Sequence, residues 1–139
     1  MVDLTFDEIS RRIREAVMPK TDLIVGIETG GLIPAALLAY KMRCPLYSIR
    51  INYRDEQNRP RHEMPVVGEY ENIPVSERAV LLVDDVSVSG QTLQAAVAQF
   101  PNAQIKTVVL VGKADFVLFP QIHTCVNWPW KNLIERNSS

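Results

Sequence analysis

The segment VLLVDDVSVSGQT, residues 80–92, constrains the fold more than any other part of this 139-residue chain. Five consecutive apolar residues, 79–83, run directly into Asp84 and Asp85. An apolar run without alternation suits a strand covered on both faces, as in a parallel sheet. Burying unpaired charge is costly, so the two carboxylates belong where the strand ends. A turn of small hydroxyl residues and a glycine follows. QTLQAAVAQF, 91–100, then carries an apolar stripe at Leu93, Val97 and Phe100, which predicts a helix.

The same grammar recurs earlier in the chain. Thr5 with Glu8 forms a capping box, and Phe6, Ile9, Ile13 and Val17 recur at helical spacing until Pro19 stops the helix. LIVGI, 23–27, is a second buried strand. The loop ETGG, 28–31, leads into a helix over 32–42, with Pro34 in the first turn, where a missing N–H costs little. Pro45 closes that unit, and PLYSIRI, 45–51, alternates as a strand. A short hairpin is expected within 66–74. IKTVVLVG, 105–112, is another buried strand, and the tail segments FVLF, HTCV and WPW predict short strands and turns. Alternating strands and helices predict an α/β fold: a mostly parallel sheet flanked by helices on both faces. Ligands in such folds bind where strand C-termini meet helix N-termini, which selects the loops 28–31 and 85–92.

Composition removes several classes of function. Fifteen basic residues against sixteen acidic ones leave a net charge of −1, which gives no support to nucleic-acid or anionic-membrane binding. No apolar run approaches the ~20 residues of a membrane helix. The opening MVDLTFDEIS is acidic and polar, unlike a signal peptide. Cys44 and Cys125 are isolated, which suits reduced thiols and a cytoplasmic setting. Cys44, beside Pro45, reads as packing. His62 reads as solvated and His123 as structural or base-adjacent. These histidines and cysteines lack metal-ligand spacing. The length fits one domain, 1–139.

The turn after Asp85 has the chemistry of a phosphate cradle. Backbone N–H groups at a helix start are ready donors. Ser87, Ser89 and Thr92 add hydroxyls, and Gly90 lets the backbone approach closely. Asp84 and Asp85 could hold sugar hydroxyls or magnesium-bound waters. Together these suit a phosphorylated sugar. The plain alternative is an ordinary strand–helix turn with a capping Ser, with which two adjacent carboxylates at the end of an apolar strand sit poorly.

These residues carry a resemblance to a known family. VLLVDDVSVSGQT resembles the phosphoribosyl-pyrophosphate (PRPP) motif of type I phosphoribosyltransferases, matching at Val80–Val83, Asp84, Asp85, Ser89, Gly90 and Thr92. DLIVGIETGGLIPAALLA, 22–39, resembles the family's pyrophosphate loop and following helix, with Gly30, Gly31 and Pro34 in place. INYRDEQNRPR resembles its mobile active-site loop, here 52–64. The similarity runs from about residue 4 to 131, and bacterial xanthine-guanine enzymes are the most similar members. It implies the Rossmann-like fold of that family with a minimal hood, 113–131. It also implies magnesium-dependent transfer of phosphoribose from PRPP to a nucleobase, more a purine than a pyrimidine, with release of pyrophosphate. Asp84 and Asp85 would hold the ribose and, through water, magnesium. Ser87, Val88, Ser89, Gly90, Gln91 and Thr92 would cradle the 5′-phosphate. Thr29, Gly30, Gly31, Arg54 and Arg61 would meet pyrophosphate, with Tyr53 and Arg59 beside them on closure. Lys113 would read the base's exocyclic oxygen, and Phe116, Val126 and Trp128 are the candidates to stack on it. Trp128 and Trp130 serve equally as a base platform or as an anchor for the tail. A homodimer or higher homo-oligomer is the family expectation.

Three departures bear on the substrate. Members that use 6-oxopurines carry an Asp as general base where this chain has Val88, which cannot take a proton. They often have a cation just before the Gly pair, where this chain has Thr29 preceded by Glu28. The tail after Lys113 is shorter, without a clean counterpart of the stacking aromatic. A non-catalytic PRPP- or nucleotide-binding regulator of the same fold is the alternative that Thr29 and Val88 keep open. The loop assignment makes Arg54→Ala and Arg61→Ala slow PRPP turnover in a steady-state assay. Unchanged turnover removes both from the site.

Overall fold

The computed structural model describes residues 1–52, 66–68, 70 and 72–131. The elements run β1 (Val2–Asp3), α1 (Phe6–Glu15), β2 (Leu23–Glu28), α2 (Leu32–Met42), β3 (Leu46–Asn52), β4 (Val66–Val67), β5 (Ala79–Ser87), α3 (Gln91–Ala98), β6 (Gln104–Gly112), β7 (Phe116–Val117) and β8 (Val126–Asn127). A six-stranded sheet has the order β4-β3-β2-β5-β6-β7. All its pairings are parallel except that of β4 with β3. The expected α/β architecture is therefore the one observed.

The continuous apolar strands explain the layering. Along β2 and β5 successive side chains enter opposite cores. Ile24, Leu81 and Val83 pack with α1 and α2 through Ile9, Ile13, Ala35 and Leu38. Leu23, Val25, Val80 and Leu82 pack with α3 through Leu93 and Ala96. Both faces of the central strands are thus shielded, as the absence of alternation requires.

Several local expectations need correction. The first helix ends at Glu15, four residues before Pro19, because Ala16 turns to extended backbone. The Lys41 ammonium from α2 donates to the Ile13 carbonyl at 2.8 Å and to that of Ala16, so a tertiary cap terminates α1. Val17 is consequently outside the helix and 88% exposed, and Phe6 is half exposed at the other end of the stripe. On α3, Ala96 takes the core position expected of Val97, and Phe100 is buried just beyond the helix end. The hairpin expected within 66–74 pairs instead with β3: Val67 lies opposite Ile51, and the Gly68 N–H donates to the Arg50 carbonyl at 2.7 Å. β1, which the sequence did not suggest, pairs with β8 and ties the tail to the start of the chain. Tyr53, Arg54, Arg59, Arg61 and His62 lie outside the described residues, as does nearly all of the 52–64 loop. No helix among the described residues is long and apolar enough to cross a membrane.

Leu81 is fully buried at the centre of the sheet. Leu81→Ala is expected to lower unfolding free energy by about 3 kcal/mol in urea titration, while Tyr40→Ala, at an 89% exposed position, leaves it within about 0.5 kcal/mol. Equal effects at the two positions would contradict this core.

Candidate active site

β5 is longer than its apolar run and carries Asp84 and Asp85 within the strand, ending at Ser87. Register with its neighbours brings the two expected loops together. Gly26 of β2 lies opposite Val83, so the 28–31 loop leaves β2 beside the acidic pair. The contact is close enough to demand glycine. A Cβ on Gly31 would fall 2.5 Å from the Val83 carbonyl oxygen and 2.8 Å from the Asp84 Cα, and neither backbone atom can yield. A Cβ on Gly30 would fall 2.2 Å from Asp85 Oδ2. The glycine pair therefore lets the two carboxylates and the loop share one space.

Both helices that open at these loops start without a side-chain cap. Thr5 caps α1 by accepting from the Glu8 N–H at 3.1 Å. α2 begins at Gly31 and α3 at Gly90, and neither N-cap offers a side-chain acceptor. Uncapped helix starts leave backbone donors and a partial positive charge for an anion. Ser89 Oγ accepts weakly from the Gln91 N–H at 3.3 Å. Ser89 and Val88 are exposed on this turn, with Gly90, Gln91 and Thr92 half buried. Ser87 differs from its expected place in the loop. It is 7% exposed in β5, opposite Gly112, and its carbonyl accepts from the Lys113 N–H at 2.9 Å.

The charge of the 28–31 loop is balanced locally. Glu28 accepts from Ser48 Oγ at 3.1 Å and pairs with Arg50 at 3.6 Å, both on the adjacent β3. Its carboxylate is thus drawn toward β3, and Thr29 stands exposed beside it. The Glu28–Thr29 peptide is cis.

Asp84 and Asp85 are the electrostatic centre. Burial, reinforced by the neighbouring Asp85 charge, pushes the Asp84 carboxyl up to about 8. Burial also raises Asp85, against the opposing pull of the Asp84 side chain, backbone N–H groups and the Trp130 indole. Asp84 Oδ1 accepts from the Asp85 N–H, and Asp85 Oδ1 from the Val86 N–H, each at 2.8 Å. No basic side chain among the described residues pairs with either. Two desolvated carboxylates with no counter-charge among the described residues suit a ligand that brings hydroxyl donors or a hydrated cation. No cluster of three His, Cys, Asp or Glu side chains among the described residues could enclose an ion, so a cation here would need ligand oxygens or water.

A pocket of about 670 Å³ opens beside the acidic strand, walled by Val86, Val88, Lys113, His123, Val126 and Trp128 with their neighbours. Val88, Lys113, Val126 and Trp128 therefore meet. Phe116 is the exception: it packs toward the α1–α2 core, and Val117 takes the pocket wall. His123, read as structural or base-adjacent, lines this pocket, and so does Cys125, which was not expected as a site residue. β8, which carries Val126, pairs with β1, and sequence periodicity gives no sign of that. Trp128 stacks on Trp130 with ring centroids 5.3 Å apart and planes 5° from parallel.

The fold is thus an α/β protein with a mostly parallel sheet whose central strand delivers paired acids between two uncapped helix starts. Residues 5–132 match the phosphoribosyl transferase domain family. The orotate phosphoribosyltransferase of Saccharolobus solfataricus is 31% identical over 97 residues, covering 70% of this chain and 45% of that protein. The chain spans less than half the length of the first curated relatives it matches. A purine phosphoribosyltransferase from Pyrococcus horikoshii superposes with a TM-score of 0.70 at 26% identity, covering 93% of this chain and 92% of that one. The Helicobacter pylori xanthine-guanine-hypoxanthine phosphoribosyltransferase shares the fold, with a TM-score of 0.76 at 16% identity and 99% of both chains covered. This chain belongs to the phosphoribosyl transferase domain family.

The raised Asp84 pKa sets a direction for pH dependence. The folded state holds a proton that the unfolded state releases from an ordinary value of 3.8. The group's stability contribution is therefore full below about pH 4 and is lost as pH rises through about 8. Asp84→Asn should gain stability relative to the parent across that window in ligand-free melts. A constant difference would contradict the shift.

Proposed function

We propose that this chain, as a single domain, transfers the phosphoribosyl group of PRPP to a nucleobase, a purine rather than a pyrimidine, with magnesium. The observation that carries the reading is the meeting of the 28–31 loop, the Asp84–Asp85 pair and the 87–92 turn beside one base-sized pocket. The uncapped start of α3, with Val88, Ser89, Gly90, Gln91 and Thr92 and the end of β5 at Ser87, binds the 5′-phosphate through backbone donors. Thr29, Gly30 and Gly31 hold the pyrophosphate at the start of α2. Asp84 and Asp85 orient the ribose hydroxyls and would hold magnesium through water. That ion, when bound, would neutralise charge on the departing pyrophosphate.

In the reaction, a ring nitrogen of the base forms a bond to the ribose C1 as the C1–oxygen bond to pyrophosphate breaks, and the bonding pair leaves with pyrophosphate. The sugar passes through an oxocarbenium-like state, for which the adjacent carboxylates are charge partners. Lys113 reads an exocyclic oxygen of the base from the pocket wall, and Trp128 and Val126 bound its plane. Residues 113–131 thus act as a small hood. The cytoplasm and a homodimer or higher homo-oligomer are the setting this family reading implies.

The test is pyrophosphate release from PRPP with magnesium, run in parallel with xanthine, guanine, hypoxanthine, adenine, orotate and uracil. The expected result is release with one purine. Asp85→Asn should cut kcat by about a hundredfold, and Lys113→Gln should raise the base KM more than the PRPP KM. Exposed Val88 offers the pocket no proton acceptor, and this favours a second reading, a regulator. PRPP binding with no release for any base would establish that reading instead.

A further inference from the structure

Joining a purine to ribose leaves a proton to be removed. A purine carries one N–H in its five-membered ring. When a nitrogen of that ring bonds to the ribose C1, this proton must depart, or the product stays a cation. An acceptor positioned at the base makes the departure part of the bond-forming step. Val88, on the turn after β5, lines the pocket and brings it no acceptor.

The other side chains of the pocket narrow the choice to one. Among the described residues that line it, none carries a carboxylate. The Lys113 ammonium and the Trp128 indole only donate, and the Ser87 and Thr124 hydroxyls and the Cys125 thiol are poor bases. His123 remains. A neutral imidazole accepts at one ring nitrogen, and histidine is the side chain suited to taking and returning a proton near neutral pH. The residue stands on the tail between β7 and β8, whereas Val88 and Lys113 follow β5 and β6, so the tail supplies what the strand ends lack. His123 is exposed, which gives a proton a way to water, and its ring has no hydrogen-bond or ion-pair partner among the described residues. A histidine kept for packing would be covered and bonded.

We propose that His123 is a catalytic residue, the acceptor of the ring N–H proton of the base, filling from the tail the part that Val88 leaves open at the end of β5. This rests on the reading above that the chain transfers phosphoribose to a purine. The ring nitrogen bonds to C1, the C1–oxygen bond breaks with its electron pair going to pyrophosphate, and the N–H proton passes to the neutral imidazole. The imidazolium then releases that proton to water, so each turnover returns the residue to its starting state. Lys113 and His123 divide the base between them: the ammonium holds its exocyclic oxygen, and the imidazole takes its proton.

The test uses the full protein with PRPP, magnesium and the purine that it turns over. His123→Gln keeps a polar side chain without a basic nitrogen and should lower kcat about a hundredfold. Its affinity for PRPP in calorimetric titration should match that of the wild type, which also shows that the variant is folded. His123→Ala should lose as much and regain part of the loss when free imidazole is added. Val88→Asp in the His123→Gln background should also regain activity, because it returns an acceptor to the pocket from the turn. A structural role gives neither recovery. Unchanged kcat in His123→Gln overturns the proposal and leaves the transfer reading standing. A loss that neither imidazole nor Val88→Asp reverses means a structural role and overturns it too. A wild type that releases no pyrophosphate with any base fails the transfer reading itself, and the proposal falls with it.

Discussion

The structure depends on one electrostatic constraint: two adjacent carboxylates, desolvated at the end of the central strand, with no opposite charge on the described residues to relieve them. A fold organised only for stability would place apolar residues or an ion pair there. This one instead surrounds the pair with loops that approach by means of glycine and with helix starts that lack caps. The destabilisation is local, and a ligand bearing donors and a counter-charge would remove it. That is why the acidic pair, the glycine pair and the uncapped starts of α2 and α3 belong to one device.

The sheet builds that device by register. β2 and β5 are neighbours, so their C-terminal loops emerge side by side although more than fifty residues separate them in the chain. β6 extends the same edge, with Gly112 opposite Ser87, and delivers Lys113 to the pocket wall. The tail closes the far side because β8 pairs with β1. Glu28, which in sequence places a negative charge beside the Gly30–Gly31 turn, is absorbed by Ser48 and Arg50 of β3.

Much of this was legible in the residues. Buried strands announce themselves by unbroken apolar runs, and Asp84–Asp85 stands out because charge follows such a run. The adjacency of 28–31 and 85–92 followed from parallel α/β topology. Features set by tertiary contact were less legible. Lys41 ends α1 early from across the helix pair, which leaves Val17 exposed despite its spacing. Ser87 reads as a turn residue but extends the strand, because β6 continues beside it. Phe116 reads as a base platform, yet strand alternation turns it toward the core and gives Val117 the pocket wall. Two-residue strands such as β1 carry no periodicity at all.

If the site works as proposed, the two loops form separate anion subsites sharing one acidic pair. This arrangement is tested most directly by titrating ribose 5-phosphate and magnesium pyrophosphate into ¹⁵N-labelled protein, singly and together. Simultaneous binding is expected, with the Gly90 and Gln91 amides responding to ribose 5-phosphate and the Gly30 and Gly31 amides to pyrophosphate. Mutual displacement at a single set of amides would contradict it.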